Sequence, residues 1–123
     1  MKWILSDDRG SATVLGLALS VVVLAIGFIA IVQVQATLAS HGAQSAADLS
    51  ALAGAQTLGD PCAAADHMAI TNHVRLITCE VQGADVAISV EGPSPSLVAA
   101  LFIRFGLPIG RVVATAVAGP SGD

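Results

Sequence analysis

The stretch SATVLGLALSVVVLAIGFIAIVQVQATLASHGAQSAA, residues 11–47, decides the fold. It contains no Lys, Arg, Asp or Glu. A small soluble domain cannot enclose an uncharged run that long without leaving apolar surface in water, so its first part reads as a membrane span. Residues 12–32 hold thirteen Leu, Ile, Val or Phe. At a rise of about 1.5 Å per residue that segment is about 31 Å long, which matches a hydrocarbon core of about 30 Å. Its large apolar residues contribute roughly −4 to −8 kcal/mol of insertion free energy, and no charge opposes them. Lys2 and Arg9 precede the span, and the next basic residue is Arg75. Basic residues mark the cytoplasmic flank, so the N-terminus is expected in the cytoplasm and the C-terminal part outside, as in a single-pass membrane protein. The rival reading is an exported soluble protein or effector that uses the stretch as a signal; a signal's apolar region runs to about 7–15 residues, shorter than this one.

Working outward, the chain divides into five parts. Residues 1–10 are a short polar head, 11–34 the transmembrane helix, 35–59 a helical extension, 60–119 a small extracytoplasmic domain and 120–123 a tail. With 123 residues, the chain has room for one domain beside the span. A globule of that size buries a marginal core and usually needs a staple. The 54% hydrophobic and 11% charged composition departs from soluble averages, and the span accounts for the excess. A net charge of −4 with five scattered basic residues argues against nucleic-acid binding, which gathers Lys and Arg on one face. Four aromatic residues and no Tyr make base-stacking platforms improbable as well.

The extension keeps a helical pattern but changes character. Ala39, Ala43, Ala47, Ala51 and Ala55 recur every four residues, and Gly42, Ala46, Ser50 and Gly54 run beside them. Two adjacent stripes of small side chains allow a close backbone approach, so they are expected to receive another helix. Thr37, His41, Gln44 and Asp48 form a polar face, with Leu38, Leu49 and Leu52 on another. Gly59 is the expected stop.

The remainder predicts an α+β domain: a short helix, a β-hairpin, a second short helix and a third strand. Asp60 and Pro61 supply an N-cap and a first helical residue for a helix reaching about Thr71. VRLITCEV and DVAISVE, residues 74–81 and 85–91, read as strands. Ile77, Cys79 and Val81 are expected on one face of the first, and Val86, Ile88 and Val90 on one face of the second. Gln82, Gly83 and Ala84 form the turn between them. Ser96 is expected to cap a helix carrying Leu97, Leu101 and Phe105 on its packed face, and residues 112–118 (VVATAVA) are the third strand.

Cys62 and Cys79 both fall on the side placed outside the cytoplasm, where disulfides persist. Joining them would tie the first short helix to the first strand and supply the missing staple, for about 3 kcal/mol on the chain-entropy model. The alternative is a metal site from Cys62, Asp66, His67, His73 and Cys79, whose C-x4-H-x5-H-x5-C spacing lacks the short Cys pair of common zinc modules. No cofactor is expected. There is no nucleophile elbow, paired-carboxylate cluster or phosphate-loop spacing, so an enzyme is not expected either.

Arg9-Gly10 directly before an apolar helix, followed by QSAADLSALAGA at residues 44–55, resembles the Tad (tight-adherence, Flp type IVb pilus assembly) TadE/TadG-like family, and most of all its short actinobacterial TadE-like members. The residues that carry the resemblance beyond the leader are Gln44, Ala46, Ala47, Asp48, Ala51, Leu52, Ala53, Gly54 and Ala55. It implies a membrane-anchored, pseudopilin-like or minor structural component of a Tad pilus or secretion apparatus. Its implied partners are other Tad or pilin-like membrane proteins met through helix packing, the lipid bilayer and a prepilin peptidase. The resemblance makes Gly10-Ser11 a candidate processing site, so that residues 1–10 are either a cytoplasmic head or a prepilin-type leader. Such processing favours Glu at the fifth mature position, where this chain has Leu15, so cleavage and an unprocessed TadG-like anchor both stay open. At Asp48 the resemblance allows a register or partner contact, and the residue types alone allow a solvated side chain.

Overall fold

The structure, a computed structural model, describes residues 8–108 and 110–120. Lys2 and the rest of residues 1–7, Ile109 and residues 121–123 lie outside it, so the polar head and most of the tail are not described. The elements run α1 (Asp8–Gln56), α2 (Pro61–Thr71), β1 (Arg75–Gln82), β2 (Asp85–Gly92), α3 (Ser96–Arg104) and β3 (Val112–Ala118). This is an α+β chain with a long apolar N-terminal helix and a small C-terminal domain. It divides into two units after Val34.

In the first unit, α1 presents apolar side chains all round and encloses none of them: every residue from Gly10 to Ile31 is exposed. The absence of Pro keeps the helix unbroken, and Ser20 returns its hydroxyl to the Gly16 carbonyl at 2.8 Å, which removes a free polar group from an apolar surface. A helix apolar on all sides belongs in a protein core or a bilayer.

The second unit begins with the rest of α1. That helix stops at Gln56, three residues before the expected Gly59. Gly59 lies in the link to α2, where its amide donates to Thr57 Oγ1. Asp60 caps α2 as its residue type dictates, with Oδ1 accepting from the amides of Cys62 at 2.9 Å and Ala63 at 3.3 Å, and Pro61 takes the first helical position. At the other end the Val74 amide reaches the Ala69 carbonyl and the His73 amide the Ile70 carbonyl, the paired closure of a helix that ends in a left-handed residue. His73 is that residue, with φ 59°.

The three strands form an antiparallel sheet in the order β1-β2-β3. Gln82 pairs with Asp85, so the turn is the two residues Gly83 and Ala84. Gly83 has φ +65° and Ala84 does not share the positive sign, the pattern of a turn that requires Gly first and matches the twist of the strands. Val86, Ile88 and Val90 are buried as the alternation requires. On β1 the alternation fails: the register shifts between Leu76 and Thr78, so Ile77 is an inserted residue and is exposed. The inward positions are Leu76, opposite Val90, and Cys79, opposite Ile88, in place of an unbroken Ile77-Cys79-Val81 face.

One face of the sheet is covered by α1 and α2. Ala43, Ala46, Ala47 and Ala51 from α1, and Ala65 and Ala69 from α2, form a single core with Val74, Val86, Ile88, Val90, Ala114 and Ala116. The bulk in this core comes from the strands and from Val74 just before β1, and each buried Val or Ile contributes about 1.5–3 kcal/mol. None of the described side chains of the second short helix, expected as a cover, belongs to this core. Pro95 rather than Ser96 stands at the N-cap of α3, with no side-chain capping bond; Ser96 is the first helical residue, and Phe105 follows the helix end and is exposed.

The close approach is tightest at Gly54. A Cβ there would lie 2.9 Å from the Pro61 carbonyl oxygen and 3.1 Å from Val86 Cγ1. Gly54→Ala is therefore expected to destabilise the head by about 1–3 kcal/mol despite Ala's better helix propensity. Urea unfolding of the full chain in detergent, followed by a probe in the head, measures it. An unchanged or raised midpoint would mean that the helix and the α2 start are not in contact there.

Candidate functional site

The family-like segment 44–55 divides between two faces of α1. Ala46, Ala47, Ala51 and Gly54 are buried, with Ala47 and Ala51 at 0% exposure; Ala53 and Ala55 are half-buried; Gln44, Asp48 and Leu52 are exposed. From Ala43 onward the stripes expected to receive another helix pack inside the chain, against its own sheet and α2, while Gly42 stays exposed and Ala39 half-buried. Small side chains on that face let the sheet approach, and Ser50, fully buried among them, is satisfied by the Ala46 carbonyl at 2.7 Å. The large apolar side chains that α1 leaves outward in this unit are Leu38, Leu49 and Leu52, with Asp48 beside them.

Gln44 and Asp48 are linked. Gln44 Nε2 donates to Asp48 Oδ1 at 3.1 Å and to the Thr115 carbonyl at 3.0 Å. Thr115 is on β3, an edge strand, so the pair ties the helix to the backbone of the sheet edge. Nothing in the spacing of the sequence announces this bond. Gly10 and Ser11 are exposed in the first turns of α1, with the Thr13 hydroxyl donating to the Gly10 carbonyl at 2.9 Å.

Cys62 and Cys79 are joined, with their Cα atoms 5.9 Å apart, so α2 is bound to β1. Both sulfurs are consumed in that bond. Asp66, His67 and His73 are exposed, and among the described residues no group of three or more His, Cys, Asp or Glu is placed to hold a metal ion.

A charged cluster that spacing alone did not expose lies at the opposite end of β2 from the turn. Glu91, with its side chain only 11% exposed, accepts from Arg75 through Oε2 and from Arg111 Nη1 through Oε1 at 2.9 Å. The Arg75 hydrogen bond first, and then that of Arg111, hold the Glu91 carboxyl below its ordinary value near 4.5, while partial burial opposes them weakly. The cluster depends on the β1 bulge. The pairing of Cys79 with Ile88, carried down the strand, would put Arg75 opposite Gly92, and the inserted Ile77 moves it opposite Glu91. An open groove of about 700 Å³ beside it is lined by His73, Arg75, Glu91, Ser94, Ala99 and Arg111.

With this geometry in place, the comparison with known families bears on one segment. Residues 10–57 match the family described as Putative Flp pilus-assembly TadE/G-like. That match supports a role in pilus assembly. Its limits nearly coincide with those of α1, so the TadE/G-like part is the helix, and the sheet that its small face packs on lies outside the match. No curated protein and no solved structure matches the chain.

Two measurements check the head. Reduction of Cys62-Cys79, or Cys62→Ala with Cys79→Ala, is expected to remove about 3 kcal/mol of unfolding free energy for a 17-residue separation, read as a fall in the urea midpoint. Because the Glu91 pKa is lowered on folding, its contribution is complete above the unfolded value near 4.5 and is lost as pH falls from there through the lower folded value. Thermal unfolding between pH 6 and pH 3 should therefore show a smaller acid loss in Glu91→Gln than in the wild type; equal slopes would disconnect Glu91 from acid stability.

Proposed function

We propose that the protein is a membrane-anchored, pseudopilin-like structural component of a Flp-type pilus assembly or secretion apparatus, with its N-terminus in the cytoplasm and its disulfide-bonded head outside. One observation carries the reading: the most apolar 18-residue window of the helix matched to the TadE/G-like family has mean hydropathy 2.9 and none of it is buried. Apolar surface of that extent needs lipid or other helices around it. The disulfide supports an oxidising compartment for the head, and the basic flank at Lys2 and Arg9 supports the same orientation.

The role is one of position rather than catalysis. Neighbouring pilus components would meet α1 along the apolar span and along the Leu38, Leu49 and Leu52 face, since the small stripes from Ala43 onward are already filled by the head. A prepilin peptidase would act after Gly10 and leave Ser11 first.

Carbonate extraction of membranes from cells making the full chain is expected to leave it in the pellet; recovery of the intact chain from the soluble extracellular fraction would favour the exported reading and end the anchor reading. Intact mass with and without a prepilin peptidase tests the processing. Loss of residues 1–10 only when the peptidase is present supports a pilin-like fate, and an unchanged mass leaves a TadG-like anchor.

A further inference from the structure

The head has two ends, and they differ in chemistry. Pro93, Ser94 and Pro95 line a cleft with Ala39, Gly42 and Ala43, which belong to the part of α1 that first enters the head. The α3 helix starts directly after that loop, and its Ala99 lines the groove of Arg75, Glu91 and Arg111 at the same end. At the far end are Gly83 of the turn, Gly54, Pro61 and the close of β3.

The near end is both apolar and basic. Phe102, Ile103, Phe105 and Leu107 are all exposed, Ile103 by 66% and Phe105 by 73%. Gly106, with φ +66°, turns the chain back so that the Leu107 amide meets the Phe102 carbonyl at 2.9 Å, which holds these side chains in one short segment. Arg104 lies within it, and at the same end Arg75 and Arg111 outnumber Glu91, the acid that pairs with both. Apolar side chains mixed with a net excess of Arg suit the boundary between headgroups and acyl chains of an anionic bilayer. The sequence tether argues for the same occupant. Ala39 is seven residues after Val32, the end of the apolar span, so only a short length of chain separates this end of the head from the residues assigned to the membrane.

We propose that the end of α3 and the turn after it, residues 102–107, dock into the interfacial region of an anionic lipid surface, giving the head a second membrane contact beside the span. The inference rests on the membrane-anchored reading above. It assigns a lipid surface, rather than another protein, as the cover for Phe102, Ile103, Phe105 and Leu107.

Spin labels test it, because the two native cysteines are joined and a third can be labelled alone. The full chain carrying Val22→Cys, Ala84→Cys or Ile103→Cys is reconstituted into phosphatidylglycerol vesicles, and collisions with lipid-soluble oxygen and a water-soluble nickel chelate are compared. Position 22 should read deep in the bilayer, 84 in water and 103 at the interface. In phosphatidylcholine vesicles position 103 should shift toward water. Arg104→Gln should lower the docking constant about fivefold in phosphatidylglycerol. A label at 103 as open to nickel as that at 84, with 22 still deep, overturns the docking and spares the anchor. Protection of 103 from both reagents means that protein covers it, which also overturns the docking. A label at 22 in water overturns the anchor reading itself.

Discussion

The head depends on how near the backbone of α1 can come to the sheet. Ala43, Ala46, Ala47, Ser50, Ala51 and Gly54 give that helix a face with almost no side-chain depth, so Val86, Ile88 and Val90 fill the interface from the other side. The volumes are complementary in one direction only. A Leu on the helix face would have no space, and an Ala at Ile88 would leave a cavity with no helix side chain to fill it. Gly54 sits where this requirement meets a second one, because α2 begins against it and the Pro61 carbonyl occupies the space of a Cβ. Such a core is thin, and the Cys62-Cys79 bond, which ties α2 to β1, supplies what a small apolar interior does not.

The parts of this architecture that follow from additive or local physics are legible in the sequence. Apolar character sums over residues, so the long apolar helix, a candidate span, is visible without knowing its surroundings. Asp60-Pro61 specifies a helix start within three residues, and Gly83 allows the tight turn between two alternating runs. Features that depend on which of two partners wins are not legible. Ile77, Cys79 and Val81 have the spacing of one strand face, and a bulge that displaces Ile77 leaves no mark in that spacing. Ser96 is a good N-cap by type, but Pro95 already fills that position and places Ser96 inside the first turn. The Gln44 bond to the Thr115 carbonyl joins residues 71 apart, beyond any local pattern.

The small-residue stripes show the same limit most clearly. Their spacing says that a backbone comes close and is silent on whose backbone it is. In this chain the occupant is the sheet that follows in the same polypeptide. This changes the expected assembly surface. A neighbour approaching this part of α1 meets Leu38, Leu49 and Leu52, larger side chains that pack at ordinary helix separations, with Asp48 among them held by Gln44.

The near-coincidence of the TadE/G-like match with α1 then has a physical reading. A helix whose inner face is Ala and Gly gains little by burying that face against another small face in water, because few apolar atoms are removed from solvent. It gains much more against strands that bring Val and Ile to it. The helical segment therefore requires a sheet of complementary volume, and residues 75–118 supply one whose central strand brings Val86, Ile88 and Val90 inward. On this argument the helix sets the shape that the head must fit, and the head in turn keeps the small face from Ala43 to Gly54 from receiving any other backbone.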